Sequence, residues 1–504
     1  MAVRKLNVLL VANRGEIALR ITRTARAMGL RTVAVYSEPD ANSAHVAAAD
    51  DAHLIGPAEA AKSYLNIAAI IDAARQTGAD AIHPGYGFLS ERPDFARAVD
   101  DAGIIFVGPR AAVMAQLGDK VAARKLATAS GVPVVPGIET AEPAAARAFA
   151  ALEGYPILVK AAAGGGGRGM RVVEGEAGLD AALEAAAREA LSAFGDGRVF
   201  IEKYLARPRH VEVQFLGDEH GTIVTMGERD CSIQRRHQKV VEESPAPGLG
   251  VATRDAMLAA ATRLAQAAGY TNAGTAEFLV EDGKFYFLEV NARLQVEHPI
   301  TEIRFGCDLV AEQIKIARGE KIAVPGAPRG HAIECRINAE DAAAGFRPAT
   351  GTVLELRLPA GPGVRFDTHL ARGTTVGAFY DGLLGKLITH GADREQARSR
   401  MLGALDELAI LGVTNTAGFL RDVIASEAFA RADLSTRFIG EHFPLWPSED
   451  RAMTDAALIA AALTSAGALG ASPGDVTGTA SASVAAAGRS PWTALRGFEL
   501  WRRS

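Results

Sequence analysis

Two apolar runs flank Asp282-Gly283 in the segment GTAEFLVEDGKFYFLEVNARLQVEH, residues 274–298. Asp-Gly between such runs is a strong hairpin signal, and the register of that hairpin decides which faces its carboxylates share. A three-residue loop of Asp282, Gly283 and Lys284 sets Glu277 opposite Glu289. A two-residue loop offsets them by one and puts them on opposite faces. The first register is preferred. Facing carboxylates repel and destabilise a sheet unless a cation lies between them. Asn291 shares the face of Glu289 by the period of two. Two carboxylates and an amide oxygen suit Mg²⁺ or Mn²⁺, which take hard oxygen ligands alongside substrate phosphates. The plain alternative is a solvated hairpin face, but Glu289 lies inside the hydrophobic run FYFLEV, which favours the metal. If the extended conformation persists, Arg293, Gln295 and Glu297 keep the parity of Asn291. Arg293 would then clamp an anion, Gln295 orient it and Glu297 act as a base. A surface charge ladder has the same spacing, and spacing alone does not separate the two.

The front of the chain has a different grammar. Residues 8–12 form a short apolar run that reads as a buried strand. A polar loop at 13–16 follows, and then Ile17, Ala18, Ile21 and Ala25 recur at helical spacing. Residues 31–36, 81–82 and 104–107 read as further strands. Strands alternating with helices predict a parallel α/β unit over about the first 110 residues. Its first strand-to-helix turn is NRGE, so the unit is Rossmann-like without the dinucleotide fingerprint.

A literal G-x-G-x-x-G does occur later, as Gly164, Gly166 and Gly169 in AAAGGGGRGMRVV, residues 161–173. A fingerprint must open a helix, yet Gly169 leads into Met170-Arg171-Val172-Val173, which is β-like. No G-K-[ST] completes the run either, so a P-loop is excluded. The remaining reading is a loop between two strands, with Lys160 at its base and Arg168 within it. Its glycines permit close backbone approach, and successive N–H groups can cradle an anion. A flap over phosphates and a flexible surface hairpin both fit.

Composition narrows the class. Of 504 residues, 48% are hydrophobic and 22% charged, which is globular and suits several domains at about 100–200 residues each. A net charge of −5 gives no footprint for nucleic acid. Three cysteines, none in a C-x-x-C pair, speak against a disulfide framework or cysteine zinc site and suit a reducing compartment. No apolar run reaches the ~18 residues of a membrane span, and the N-terminal run is too short for a signal h-region. The cytoplasm is the expected compartment. A basic cluster, Arg235, Arg236, His237 and Lys239, lies amid acids in ERDCSIQRRHQKVVEE, with His210 upstream in an apparent strand. Its donors suit a pocket for phosphates and a small anion. The histidine spacings do not match a C₂H₂ zinc site, and no G-x-S-x-G marks a serine hydrolase.

Eight stretches now line up: NRGEIALR, HPGYGFLSE, GDK at 118–120, KAAAGGGGRGMRVV, EKYLARPRHVEVQ, ERDCSIQRRHQKVVEE, FLEVNARLQVEHPITE and ECRINAED. They occur in the order seen in biotin carboxylases, and over residues 5–445 the chain resembles that family. The resemblance implies an α/β and α+β architecture. Residues 1–118 would be a Rossmann-like N-terminal domain and 119–320 an ATP-grasp domain, with a glycine-flap lid at about 138–204. Residues 321–446 would be a biotin-carboxylase C-terminal domain, and 447–504 an Ala/Gly-rich linker with the start of a carrier-linking segment.

The resemblance also implies roles. Lys120 and Lys160 would bind ATP phosphates beneath the backbone of Gly164, Gly165, Gly166, Gly167 and Gly169. Glu202, Lys203, Leu205 and Leu279 would serve ATP, the first three at the adenine, with His210, Gln234 and His237 on the nucleotide. Glu277 and Glu289 would hold Mg²⁺ (or Mn²⁺) beside Asn291. Lys239, Arg293, Gln295 and the Val296 backbone would bind bicarbonate, and Glu297 would deprotonate it. Arg336 would stabilise the biotin enolate, with Tyr86 beside the ring. Ala292, Gly382 and Arg347 depart from the family's usual threonine, proline or serine, and leucine. None is a proposed catalytic group, so activity is expected.

Biotin is carried on lysine in a Met-Lys-Met turn, and no Met-Lys pair exists here. The biotin then lies on a separate carrier, or the chain is a truncated product. SPWTALRGFELW, GADREQA and AILGVTNTAGFL resemble acyl-CoA carboxylase α subunits. The implied partners are a biotin carrier and a carboxyltransferase (β) subunit, in a homodimer or larger hetero-oligomer, without nucleic acid or membrane. A silent scaffold subunit and another ATP-grasp ligase are the rival readings. The second is disfavoured by ECRINAED and NARLQVEH, the first by the set Lys239, Arg293, Glu297 and Arg336.

Overall fold

A computed structural model describes residues 3–161, 171–194 and 198–446. The glycines from Gly164 to Gly169 and the stretch 447–504, read as a linker and the start of a carrier-linking segment, lie outside the described residues.

The N-terminal unit is a parallel sheet of β1 (Val8–Val11), β2 (Arg31–Ser37), β3 (Asp51–Gly56), β4 (Ala81–His83) and β5 (Ile105–Phe106), ordered β3-β2-β1-β4-β5. Every pairing is parallel. The apolar runs of β1 and β4 are buried on both faces, as strands covered by helices must be. β3 escaped the sequence reading because it is an edge strand, DAHLIG, with only Ile55 well buried. The helix α1 (Gly15–Ala27) continues from the NRGE turn and buries Ile17, Ala18, Ile21 and Ala25.

A small four-stranded sheet comes next, with β6 (Gly137–Glu139), β7 (Ile157–Ala161), β8 (Arg171–Val173) and β9 (Val199–Lys203) in the order β6-β9-β7-β8. β7 and β8 flank the glycine run and pair antiparallel, Ile157 with Val173 and Val159 with Arg171, so the strand–loop–strand reading holds for its two arms. Two helices, α2 (Pro143–Glu153) and α3 (Leu179–Phe194), cover this sheet. Phe149, Ile157, Val159, Leu183 and Ile201 make a core of its own.

The largest element is an eight-stranded antiparallel sheet. Its strands are β10 (Arg209–Gly217), β11 (Ile223–Arg235), β12 (Gln238–Ser244), β13 (Asn272–Glu281), β14 (Lys284–Asn291), β15 (His331–Asn338), β16 (Val364–Thr368) and β17 (Leu383–Gly391). Their order is β14-β13-β10-β11-β12-β15-β17-β16. The sheet runs unbroken across residue 320, because β12 pairs with β15 from Val241–Cys335 to Ser244–Ala332. The helix α4 (Val251–Ala267) lays Met257, Ala260, Ala261 and Leu264 into the core. The helix α5 (His298–Phe305) comes after β14 and a short turn, and packs on β11, β12 and β15.

The β13–β14 hairpin corrects one expectation. Glu281 pairs with Lys284, so the turn has two residues, not three. Asp282 and Gly283 take φ of +50° and +74°, the left-handed pair that a tight turn between twisted strands needs. Glu277 nonetheless faces Glu289, because the register slips by one between Glu277 and Phe278. Leu288, half-exposed, is the extra residue of a β-bulge. The facing carboxylates were right and the loop that was to produce them was wrong.

Candidate active site

A cleft of about 1220 Å³ opens beside the large sheet. It gathers Tyr86, Lys160, Glu202, His210, Gln234, His237, Lys239, Glu277, Leu279, Glu289, Asn291, Arg293, Gln295, Val296, Glu297 and Arg336 from segments far apart in sequence. Lys120, Lys203 and Leu205 are not among its lining residues. Lys120 is exposed at the start of a helix whose Ala123 and Ala127 are buried, though its charge bears on Glu289. Lys203 is partly exposed at the end of β9, and Leu205 is buried.

At the centre stands Lys239. Its Nζ donates to Glu277 Oε1 at 2.8 Å, Glu297 Oε1 at 2.7 Å and Glu212 Oε2. Three carboxylates around one ammonium keep it protonated. Burial works against its charge, but Glu212, Glu277 and Glu297 outweigh burial and raise Lys239 well above the ordinary lysine value. Below it lies Arg229, fully buried, which donates to Glu212 Oε1 at 2.5 Å, Gln214 at 2.8 Å and Gln295 Oε1 at 2.5 Å. Holding the oxygen of Gln295 leaves its Nε2 to donate to Glu277 Oε1 at 2.8 Å.

Arg336 closes on Glu297 from the other side, NH2 to Oε2 at 2.9 Å. Burial favours neutral Glu297, yet Lys239, Arg336 and Arg229 together hold it well below the usual carboxylate range. Glu297 is 1% exposed and Gln295 2%, which disposes of the surface charge ladder. The extended chain, however, ends at Asn291, and a turn carries Gln295 and Glu297 inward before α5. Shared strand parity therefore does not explain their meeting. Arg293 donates to Glu91 at 3.0 Å and to Asn291 Oδ1 at 2.8 Å.

Asn291 Nδ2 donates to Glu277 Oε1 at 2.7 Å, and His210 Nε2 lies 2.8 Å from Glu277 Oε2. Burial opposes ionisation of Glu277, but Lys239 and His210 bring it well below the ordinary value. Glu289 differs. Burial and then the charge of Glu277 raise its carboxyl, and no hydrogen bond or ion pair joins it among the described residues. An unpartnered carboxylate opposite an ionised one is a donor set that a hard dication fits. Lys160 meets Glu202 at 2.6 Å. In the basic cluster, Arg235 turns away to stack on Phe346, 4.2 Å from its centroid. Arg236 and His237, at φ +48° and +66°, form the tip of the β11–β12 hairpin over the cleft.

Sequence reasoning missed Glu212, Arg229 and Lys386. The signal for Glu212 was present: His210, Glu212 and Gln214 alternate with valines in RPRHVEVQ, a polar stripe on one face of a strand. Lys386, fully buried, donates to the Val296 carbonyl at 3.1 Å and lies 5.8 Å from the Tyr86 ring centroid.

Known proteins share this chain's pattern over most of its length. Residues 5–114 match the family described as biotin carboxylase, N-terminal domain. Residues 119–324 match carbamoyl-phosphate synthase L chain, ATP binding domain, and 334–441 match biotin carboxylase C-terminal domain. A biotin carboxylase of Pseudomonas aeruginosa is 48% identical over 440 residues, covering 86% of this chain and 98% of that one. The biotin-dependent acyl-coenzyme A carboxylase alpha3 subunit of Mycobacterium leprae is 50% identical over 427 residues, covering 83% and 71%. Among solved structures, the biotin carboxylase domain dimer of Hydrogenobacter thermophilus 2-oxoglutarate carboxylase, with MgADP, ADP and bicarbonate, superposes with a TM-score of 0.79 at 42% identity, covering 87% and 98%. The three consecutive domain matches and near-complete coverage of a curated relative place this chain in the biotin carboxylase family.

Proposed function

We propose that this chain uses ATP to carboxylate biotin with bicarbonate, forming ADP and phosphate, as the first half-reaction of an acyl-CoA carboxylase. The observation that carries the reading is the Lys239 cluster. One buried ammonium links Glu277, on the metal-ligand hairpin, to Glu297, whose other oxygen is held by Arg336. Phosphate-end, bicarbonate and biotin groups therefore meet within one hydrogen-bond network.

Glu277 and Glu289 would hold Mg²⁺, with Asn291 supplying an amide oxygen if its side chain turns. The bound ion would offset charge on the transferring phosphoryl group. Lys120, Lys160 and the glycine run 164–169 serve the phosphates, and Glu202, Lys203, Leu205, Leu279, His210, Gln234 and His237 the rest of the nucleotide. Bicarbonate binds between Lys239, Arg293, Gln295 and the Val296 backbone. Its arrival supplies an anion that competes for Lys239, so the cation that weakens Glu297 as a base is drawn off when the base is needed.

Glu297 then takes the bicarbonate proton as a bicarbonate oxygen attacks the γ-phosphorus and the bond from that phosphorus to ADP breaks. Carboxyphosphate forms and breaks to CO₂ and phosphate, the phosphate takes the N1′ proton of biotin, and N1′ bonds to CO₂. Arg336 faces the ureido oxygen where negative charge develops, and Tyr86 lies along the ring. A biotin carrier and a carboxyltransferase subunit complete the system, in the cytoplasm. Purified protein with Mg²⁺ is expected to show bicarbonate-dependent ATP hydrolysis that free biotin stimulates. Hydrolysis indifferent to both would overturn the reading.

A further inference from the structure

Two acidic side chains that none of those steps uses face each other beneath the cleft. Glu242 on β12 pairs with Glu334 on β15 across the ladder, and both are fully buried at 0% exposure. Oε1 of Glu242 accepts from Arg336 Nε at 2.5 Å. Oε2 of Glu242 and both oxygens of Glu334 have no hydrogen-bond partner among the described residues.

Two ionised carboxylates directly opposite each other in a buried ladder repel strongly, so the pair retains a proton. The geometry says where. Arg336 is hydrogen-bonded to Glu242 and draws the negative charge there, which leaves the proton on Glu334. The other charged groups that bear on the pair are Lys386, opposite Arg336 on β17, Glu297, in the turn before α5, and Lys239, on β12 with Glu242. Burial, opposed by Lys386 and aided by Glu242, raises Glu334 well above the carboxylate range. Glu242 is raised only to about 7, because Arg336 opposes its burial.

We propose that Glu242 is a positioning residue for biotin carboxylation: it holds the Nε edge of Arg336 against β12 while the neutral carboxyl of Glu334 leaves Glu242 as the ionised partner. The need arises from the chemistry already described. Arg336 has two carboxylate partners, Glu297 and Glu242. When Glu297 takes the bicarbonate proton, its charge is spent, and Glu242 alone keeps the guanidinium aimed at the biotin oxygen. The proposal rests on the reading of Arg336 as the enolate-stabilising group.

The test compares carboxybiotin formed per ATP hydrolysed, with free biotin as acceptor, in the full chain and in Glu242→Gln and Arg336→Met variants. Both variants are expected to lower that ratio, Glu242→Gln by roughly 10- to 100-fold as for a misplaced catalytic group, with KM for ATP within about two-fold of the parent. An unchanged ratio in Glu242→Gln beside a lost one in Arg336→Met would overturn this inference and leave the functional reading standing. A full ratio in Arg336→Met, or no carboxybiotin from the parent chain, would remove the reading itself. If Glu242→Gln does not fold, infrared spectroscopy of the parent decides. A protonated carboxyl band absent from Glu334→Gln is expected, and no difference between the two spectra would overturn the inference.

Discussion

Glu297 is held ionised by the same cations that would make it a reluctant base, so its contribution is measurable by substitution more readily than by pH. Glu297→Gln keeps the shape but cannot take a proton. Bicarbonate-dependent ATP hydrolysis is expected to fall by about 10²–10⁴-fold, with nucleotide affinity unchanged by titration calorimetry. Lys239→Met should act on stability first. It strands Glu212, Glu277 and Glu297 around an uncharged side chain, and breaking a buried pair in this way costs about 3–5 kcal/mol, read by denaturant unfolding. A third residue gives a pH signature. Glu16 is buried near Lys386, at 3.3 Å, and burial, opposed by Lys386, raises it to about 7. In the unfolded chain it ionises near the ordinary carboxyl value. Its neutral form is therefore favoured on folding, and its contribution falls as pH rises from that value through about 7, then levels off. Thermal melts across this range should show Glu16→Gln gaining on the parent as pH rises. Parallel melting curves would refute the shift. At this scale the sequence was readable where a residue's partner is near in the chain. Glu277 and Glu289 announce each other across a short turn. Arg229 does not announce Glu212 or Gln295, because 17 and 66 residues separate them and only the folded sheet brings them together.

The β13–β14 hairpin shows what an element hides. The Asp-Gly turn was legible, and so was the pairing of its glutamates, but both could be right only through the bulge at Leu288, which no turn rule reveals. A bulge is set by how the strand bends against its neighbours, not by local composition. The turn can be tested alone. Gly283 sits at φ +74°, and a Cβ added there meets no atom beyond its chain neighbours, so Gly283→Ala strains only the backbone of the turn. Destabilisation of about 1–2 kcal/mol is expected, with nucleotide binding retained. A loss of nucleotide binding without loss of stability would show that the turn has a role besides closing the hairpin. The edge strand Asp51–Gly56 was missed for a related reason: half of its surface faces solvent, so hydrophobic pattern says little about it.

For the molecule as a whole, the small β6-β9-β7-β8 sheet has a core distinct from the others. A layer with its own core can shift as one body without opening its neighbours. Hydrogen exchange is expected to slow across Ile157–Ala161 and Arg171–Val173 when Mg-ATP is added; equal exchange in both states would count against closure. The large sheet behaves in the opposite way. Its seam between β12 and β15 joins the stretch that carries Lys239 to the stretch that carries Arg336. A split chain divided at residue 320 would give two pieces with raw, complementary strand edges, each prone to unwanted pairing. Made together, the same pieces hold matching halves of one ladder. Their reassembly would regenerate the Lys239–Glu297–Arg336 contact in a single event, so turnover in such a mixture would report the zipping of the seam.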